Sequence, residues 1–300
     1  MKANEIGIKI INIIHNIVNF VVLIIIILLL IFAGFALWDS SRLYQGADKS
    51  NYEIYKPDIT NQGKSFKELQ EINPDVFAWL TVYDTNIDYP VTQGQDNMQY
   101  VNTNAEGMYS LSGAIFLDYR NNKNFTDFNN IVYGHHMQRK TMFGEIGEFV
   151  NKDMFDSHIY GNLYFNEKDH TIEFFAFIHT DAYNSEVFTP NITDEESRQI
   201  YLDNLLETAI HKRDFGVTIQ DNIILLTTCS STSTNGRDIL VGRITDKVLK
   251  EDTPIEKQEC NRNEESGFVR PILLIQRLIL TIIILIIIYI IIKRRRKQKQ

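Results

Sequence analysis

Asn222-Ile223-Ile224-Leu225-Leu226-Thr227-Thr228-Cys229 is followed by the polar loop Ser230-Ser231-Thr232-Ser233-Thr234-Asn235-Gly236 and then by Arg237-Asp238-Ile239-Leu240-Val241-Gly242-Arg243. Two apolar runs separated by small polar residues read as a pair of strands and their turn. If the strands pair antiparallel, Cys229 and Arg237 face each other at the mouth of the loop. The first run is apolar without alternation, which predicts a strand buried on both faces.

Short strand-like runs recur outward from this pair. They are Ala78 to Val82, Ile87 to Val91, Gly113 to Leu117, Ile131 to Tyr133, Leu163 to Phe165, Thr171 to Ile178, Asn222 to Leu226 and Ile239 to Ile244. About eight short strands with few helices predict a mainly β fold, a barrel or a sandwich. Ser65-Phe66-Lys67-Glu68 has capping-box spacing and opens a helix that Asn73-Pro74 stops. Thr193-Asp194-Glu195-Glu196 is a second capping box. The helix it opens carries Ile200, Leu202, Leu205, Leu206, Ala209 and Ile210 on its apolar face, with His211-Lys212-Arg213 at its C-terminus.

The ends have a different composition. Phe20 to Trp38 is apolar throughout, and at about 1.5 Å per residue it reaches roughly the thickness of the hydrocarbon layer. A cleaved signal peptide is the alternative, but no small-residue cleavage site follows the run. A second run, 274–292, ends in Lys293-Arg294-Arg295-Arg296-Lys297. Lys2 and Lys9 precede the first run. The positive-inside rule therefore predicts a two-pass membrane protein with both termini cytoplasmic and the middle outside. The expected organisation is a cytoplasmic N-terminus (1–19), a transmembrane helix (20–38), a juxtamembrane stalk (39–64), a catalytic domain (65–248), a linker (249–273), a transmembrane helix (274–292) and a basic tail (293–300). The whole chain carries −8, and what lies outside the two basic ends carries about −15. Such a charge argues against a nucleic-acid partner.

The chain has two cysteines, and outside the cytoplasm a structural Cys229–Cys260 disulfide is the first alternative to a reactive thiol. Cys260 falls in a charged stretch, 251–270, that reads as linker. As a reactive thiol, Cys229 needs a charged neighbour or a base, because a free thiol ionises near pH 8.5. His135, after Ile131-Val132-Tyr133-Gly134, lies at another strand end and supplies an imidazole. Arg237 supplies a fork of N–H donors that suits an oxyanion. His136 and Arg243 are the competing imidazole and cation. Neighbouring residues on a strand point to opposite faces, and Arg243 lies six positions into its strand, far from the loop mouth.

Several stretches, in order, resemble the sortase family and specifically its class B. They are Asn73-Pro74-Asp75-Val76-Phe77-Ala78-Trp79-Leu80, Thr85 to Gln93, Asp96-Asn97 with Tyr100, Gly113 to Asn121, Tyr133-Gly134-His135-His136-Met137, Met142-Phe143-Gly144, and Leu225-Leu226-Thr227-Thr228-Cys229. The last departs from the family's signature only at Leu225, which is Thr in the pattern. The resemblance covers Ile72 to about Ile244. It implies a closed β-barrel of about eight strands with N-terminal helices and one inserted late helix, flanked here by the two expected transmembrane helices. It also implies Cys229 as nucleophile, His135 as general acid/base and Arg237 as oxyanion stabiliser, with Asn97, Val101, Thr227 and Tyr183 near the substrate groove. Asp118 reads as a structural residue of its turn. The implied reaction is transpeptidation. An exported protein bearing a C-terminal sorting signal is cleaved, held as a thioester, and passed to an amine of a peptidoglycan precursor or a pilin. This chemistry requires no cofactor or metal. A membrane-tethered cysteine protease and a non-catalytic surface binding module are the readings from other classes.

Overall fold

The structure, a computed structural model, describes residues 2–57, 64–230 and 234–247. The expected linker, second transmembrane run and basic tail, together with Cys260, lie outside the described residues.

Among the described residues nine strands form one sheet: β1 (Val76–Val82), β2 (Asp88–Thr92), β3 (Ile115–Leu117), β4 (Asn129–Tyr133), β5 (Tyr160–Phe165), β6 (Lys168–Asp181), β7 (His211–Lys212), β8 (Asn222–Cys229) and β9 (Gly236–Thr245). Their order is β5-β1-β2-β3-β4-β8-β9-β6-β7, and a further β5–β6 pairing closes eight of them into a barrel. Closure removes free sheet edges, and β7 is a two-residue appendage on β6. The pairs β2–β3 and β4–β8 are parallel, and the other pairs are antiparallel.

Strand β8 explains its own sequence. Ile224 and Leu226 join the barrel core with Val132, Phe174, Phe177 and Leu240. Ile223 and Leu225 face a second core with Ile239, Val241, Phe128, Tyr201, Leu202 and Leu205. With both faces buried, no position from Ile223 to Leu226 can be polar, and each side chain contributes about 1.5–3 kcal/mol. The second core is roofed by helix α4 (Glu195–Thr208).

Helix α4 differs from expectation at both ends. Its N-cap is Asp194, whose carboxylate accepts from Ser197 N at 2.8 Å, so the capping residue is one position later than Thr193. The helix stops at Thr208, and His211-Lys212 leave it to become β7. The open side of β6 draws them away: Ile210 N donates to Phe177 O at 2.9 Å and Arg213 N to Phe175 O at 2.8 Å. Backbone groups on an unpaired strand edge outweigh a basic C-terminal turn, whose dipole contribution is only about 0.3–1 kcal/mol.

Helix α2 (Lys64–Ile72) and the short α3 (Lys152–Ser157) pack outside the barrel. At the N-terminus α1 (Lys2–Gly46) is a single helix, and its Ile6–Ser41 portion is long and apolar enough to cross a membrane and is not covered by the other described residues. The helix thus extends beyond the expected span 20–38 at both ends. Residues 39–64 were expected to form a juxtamembrane stalk or short helices; two one-turn helices, Lys49–Asn51 and Glu53–Tyr55, do form there, and Ala47 and Tyr52 are buried in the barrel core. The Tyr89 hydroxyl, itself buried, donates to Ala47 O at 2.9 Å. Scattered small and aromatic residues gave no periodicity by which this packing could be read.

Candidate active site

The β8–β9 register pairs Cys229 with Arg237, Thr228 with Asp238 and Thr227 with Ile239. Ser230 N donates to Gly236 O at 2.8 Å, carrying the ladder one step past the sulfur. Cys229 is therefore held by backbone bonds on both sides, yet it is the one exposed residue of its strand and carries a free thiol. Residues 231–233 of the loop lie outside the described residues.

His135 arrives from the other flank of β8. Strand β4 runs parallel to β8 with Tyr133 level with Thr227, and Gly134 N donates to Thr227 O at 3.1 Å. His135 follows two positions beyond Tyr133, and Cys229 two beyond Thr227. Thus β8 carries the sulfur between β9, which bears the arginine, and β4, beyond whose end the histidine follows. The half-buried His135 ring places Nε2 2.8 Å from Val101 O. A carbonyl can only accept, so this contact puts a proton on Nε2 and leaves Nδ1 as the ring's exchangeable nitrogen.

Arg237 is half-buried, its Nη1 donating to Gly236 O at 3.1 Å. Its charge reaches across β8 to Tyr133. Burial and the Asp118 carboxylate push the Tyr133 phenol above its ordinary range, and the Arg237 guanidinium partly opposes them. Arg243 is engaged elsewhere: its Nε donates to Glu173 at 3.0 Å, and its register partner is Ile223, far from the sulfur. His136 pairs with Met142 across the next loop, and its Nδ1 is buried without a partner.

The expected groove residues occupy different settings. Val101 contributes the carbonyl on His135. Asn97 has both ends of its amide occupied, Nδ2 donating to Asp118 at 2.8 Å and Oδ1 accepting from Tyr119 N at 3.0 Å. Thr227 is buried, its hydroxyl without a protein partner. Tyr183 is 83% exposed in the turn after β6, beside the loop mouth, where Ala182 N donates to Asn235 O at 2.8 Å.

Asp118 does more than hold its turn. Its backbone carbonyl accepts from Asn121 N at 2.9 Å and its carboxylate from Arg120 N at 3.0 Å, and these two bonds hold the turn. That carboxylate, fully buried, accepts from Arg120 Nε at 2.8 Å, Asn97 Nδ2 at 2.8 Å and Tyr133 Oη at 3.1 Å. Burial works to raise its pKa, but hydrogen bonds from Arg120 and Asn97 outweigh that and hold it below the ordinary carboxylate range. Tyr133, two residues before His135, was not singled out from sequence. The available signal was a polar ring directly after Ile131-Val132 at the end of its strand.

Gly113 fixes the segment that carries Val101. Its φ is +59°, and a Cβ there would stand 2.5 Å from Tyr100 O and 2.6 Å from Val101 O. Gly113→Ala should cost about 2–4 kcal/mol of stability, read as a lowered urea midpoint, since left-handed strain and a backbone clash add. It should also shift the pH–rate profile, because the displaced oxygen is the one that holds His135.

The profile of the Sortase domain matches residues 80–245. Sortase B of Listeria monocytogenes is 34% identical over 185 residues, covering 60% of this chain and 74% of that protein. The crystal structure of sortase B from the type II pilus of Streptococcus pneumoniae superposes with a TM-score of 0.54 at 46% identity, covering 61% of this chain and 99% of the other. A Streptococcus pyogenes class B sortase involved in pilus biogenesis gives 0.56 at 38% identity, covering 61% and 99%.

Proposed function

The chain belongs to the sortase family and is a class B-like cysteine transpeptidase acting on sorting signals, and from that premise we propose that Cys229, His135 and Arg237 carry its chemistry. The observation that supports this reading is the strand register, which pairs the exposed Cys229 with Arg237 and Thr227 with Tyr133, two residues before His135. The Cys229 sulfur attacks the carbonyl carbon at the cleavage point of the sorting signal. Arg237 donates to the oxyanion that forms, and also favours thiolate over thiol. His135, its Nε2 tied to Val101 O, gives a proton from Nδ1 to the departing amine, and the carbonyl remains as a thioester on Cys229. The same nitrogen then takes a proton from the incoming amine as it displaces the sulfur, and the product is an amide.

Helix α1 anchors the enzyme in the membrane through its apolar run 20–38, with the barrel on the extracytoplasmic side by the charge rule, because Lys2 and Lys9 precede that run. A pilin amine is favoured as acceptor over a peptidoglycan amine by the likeness to two pilus sortases, at 46% and 38% identity. Incubating the enzyme with a sorting-signal peptide and either a lysine-containing pilin segment or a peptidoglycan stem peptide tests the reading by mass spectrometry. Amide product should accumulate in preference to hydrolysed peptide, and faster with the pilin segment. Hydrolysis alone, even at high amine, would indicate a protease.

A further inference from the structure

The end of α1 does not hang free of the barrel. Gly46 lies against the segment before β3, so closely that a Cβ there would be 3.3 Å from Ser110 Oγ. Two residues earlier, the Tyr44 ring lies under the Arg139 guanidinium at 4.2 Å. The Tyr89 hydroxyl bonds both Ala47 O and, at 3.0 Å, Met142 N. The helix end is therefore fastened to 136–144, the loop that directly follows His135, and to 108–112, which bridges back to Asn102 and Thr103 beside Val101.

This fastening fixes a height. From Trp38, the end of the apolar run, to Gly46 is about 12 Å of helix, which spans the headgroup layer of roughly 5–7 Å per side and reaches just past it. Whatever touches Gly46 therefore lies at the outer margin of the lipid headgroups. At that level Met108, Tyr109 and Leu111 are 56%, 77% and 55% exposed, flanking the serine that touches the helix. Three large apolar side chains in consecutive and near-consecutive positions are costly in water. An amphipathic tyrosine beside aliphatic neighbours suits the interface between water and hydrocarbon.

We propose that Met108, Tyr109 and Leu111 form an interfacial docking surface for the outer leaflet of the bilayer that α1 crosses, holding the His135 side of the catalytic groove against the membrane. This rests on the reading that α1 spans the membrane. The surface is continuous with that span, so the occupant is lipid. The loop bearing the exposed patch is the one whose Val101 carbonyl steadies His135, so membrane contact and catalytic geometry share a single segment.

Depth-dependent fluorescence quenching tests it on the full chain in vesicles of phosphatidylcholine and phosphatidylglycerol. With Cys229 and Cys260 replaced by serine, bimane is attached at Tyr109→Cys, Leu111→Cys, Glu167→Cys or Leu28→Cys. Glu167 lies in the β5–β6 turn, at the far end of the 14-residue β6 from Arg237's partner Thr180. A headgroup-level spin-labelled lipid should quench the probes at 109 and 111 several-fold more than the one at 167, and a mid-bilayer quencher should act on the probe at 28. Equal quenching at 109, 111 and 167, with 28 quenched, overturns the docking surface while leaving the span intact. An unquenched probe at 28 overturns the span and the docking surface with it. Two patch positions are used so that one misfolded variant does not decide the outcome.

Discussion

Cys229→Ala yields a folded protein without transpeptidase activity, its turnover lowered on the order of 10⁴-fold or more. The thiol lies on the exposed end of β8 and contributes to neither apolar core, so the substitution should change stability by less than about 0.5 kcal/mol. Urea denaturation of the two proteins should therefore superpose while the thioacyl intermediate disappears from mass spectra. A small cationic methanethiosulfonate should inactivate the unsubstituted enzyme stoichiometrically and leave the variant unmodified at residue 229. Retained transfer activity in Cys229→Ala would place the nucleophile elsewhere and remove the proposed mechanism.

Arg237→Ala should lower kcat by about 10²–10³-fold, the usual cost of one oxyanion donor. Among the described residues Arg237 has no carboxylate within ion-pair distance, so removing it leaves no buried anion stranded and the fold should hold. The loss should fall mainly on kcat rather than KM if the guanidinium meets charge that exists only in the transition state. Arg237→Lys keeps the charge but loses the planar fork, and should recover only part of the rate. An equal loss in Arg243→Ala would contradict the assignment, because that side chain is tied to Glu173 well away from the sulfur.

Much of the barrel could be read from the chain because its strands announce themselves by composition. The run Ile223–Leu226 is buried on both faces and is apolar throughout. The Cys229–Arg237 pairing followed from a hairpin argument that needs only neighbouring sequence, and the register agrees with it. What stayed hidden depends on contacts between distant segments. The parallel pairing of β4 with β8 has no local signature, so His135 could be placed at a strand end but not beside a particular strand. The Asp118 carboxylate looked like a turn residue because its contacts with Tyr133 and Asn97 bridge separate loops. His211-Lys212 misled for the same reason: their local sequence suits a helix end, but the exposed edge of β6 was waiting for them.

The pairing of β4 with β8 joins residues 94 positions apart, such as Asn129 and Ile223. Long-range pairing of this kind must repay the entropy of closing a large loop, and it forms slowly compared with hairpins. The β8–β9 hairpin can therefore fold before β4 docks, bringing sulfur and guanidinium together while the imidazole is still absent. The proposed catalytic set is therefore complete only once β4 has paired with β8.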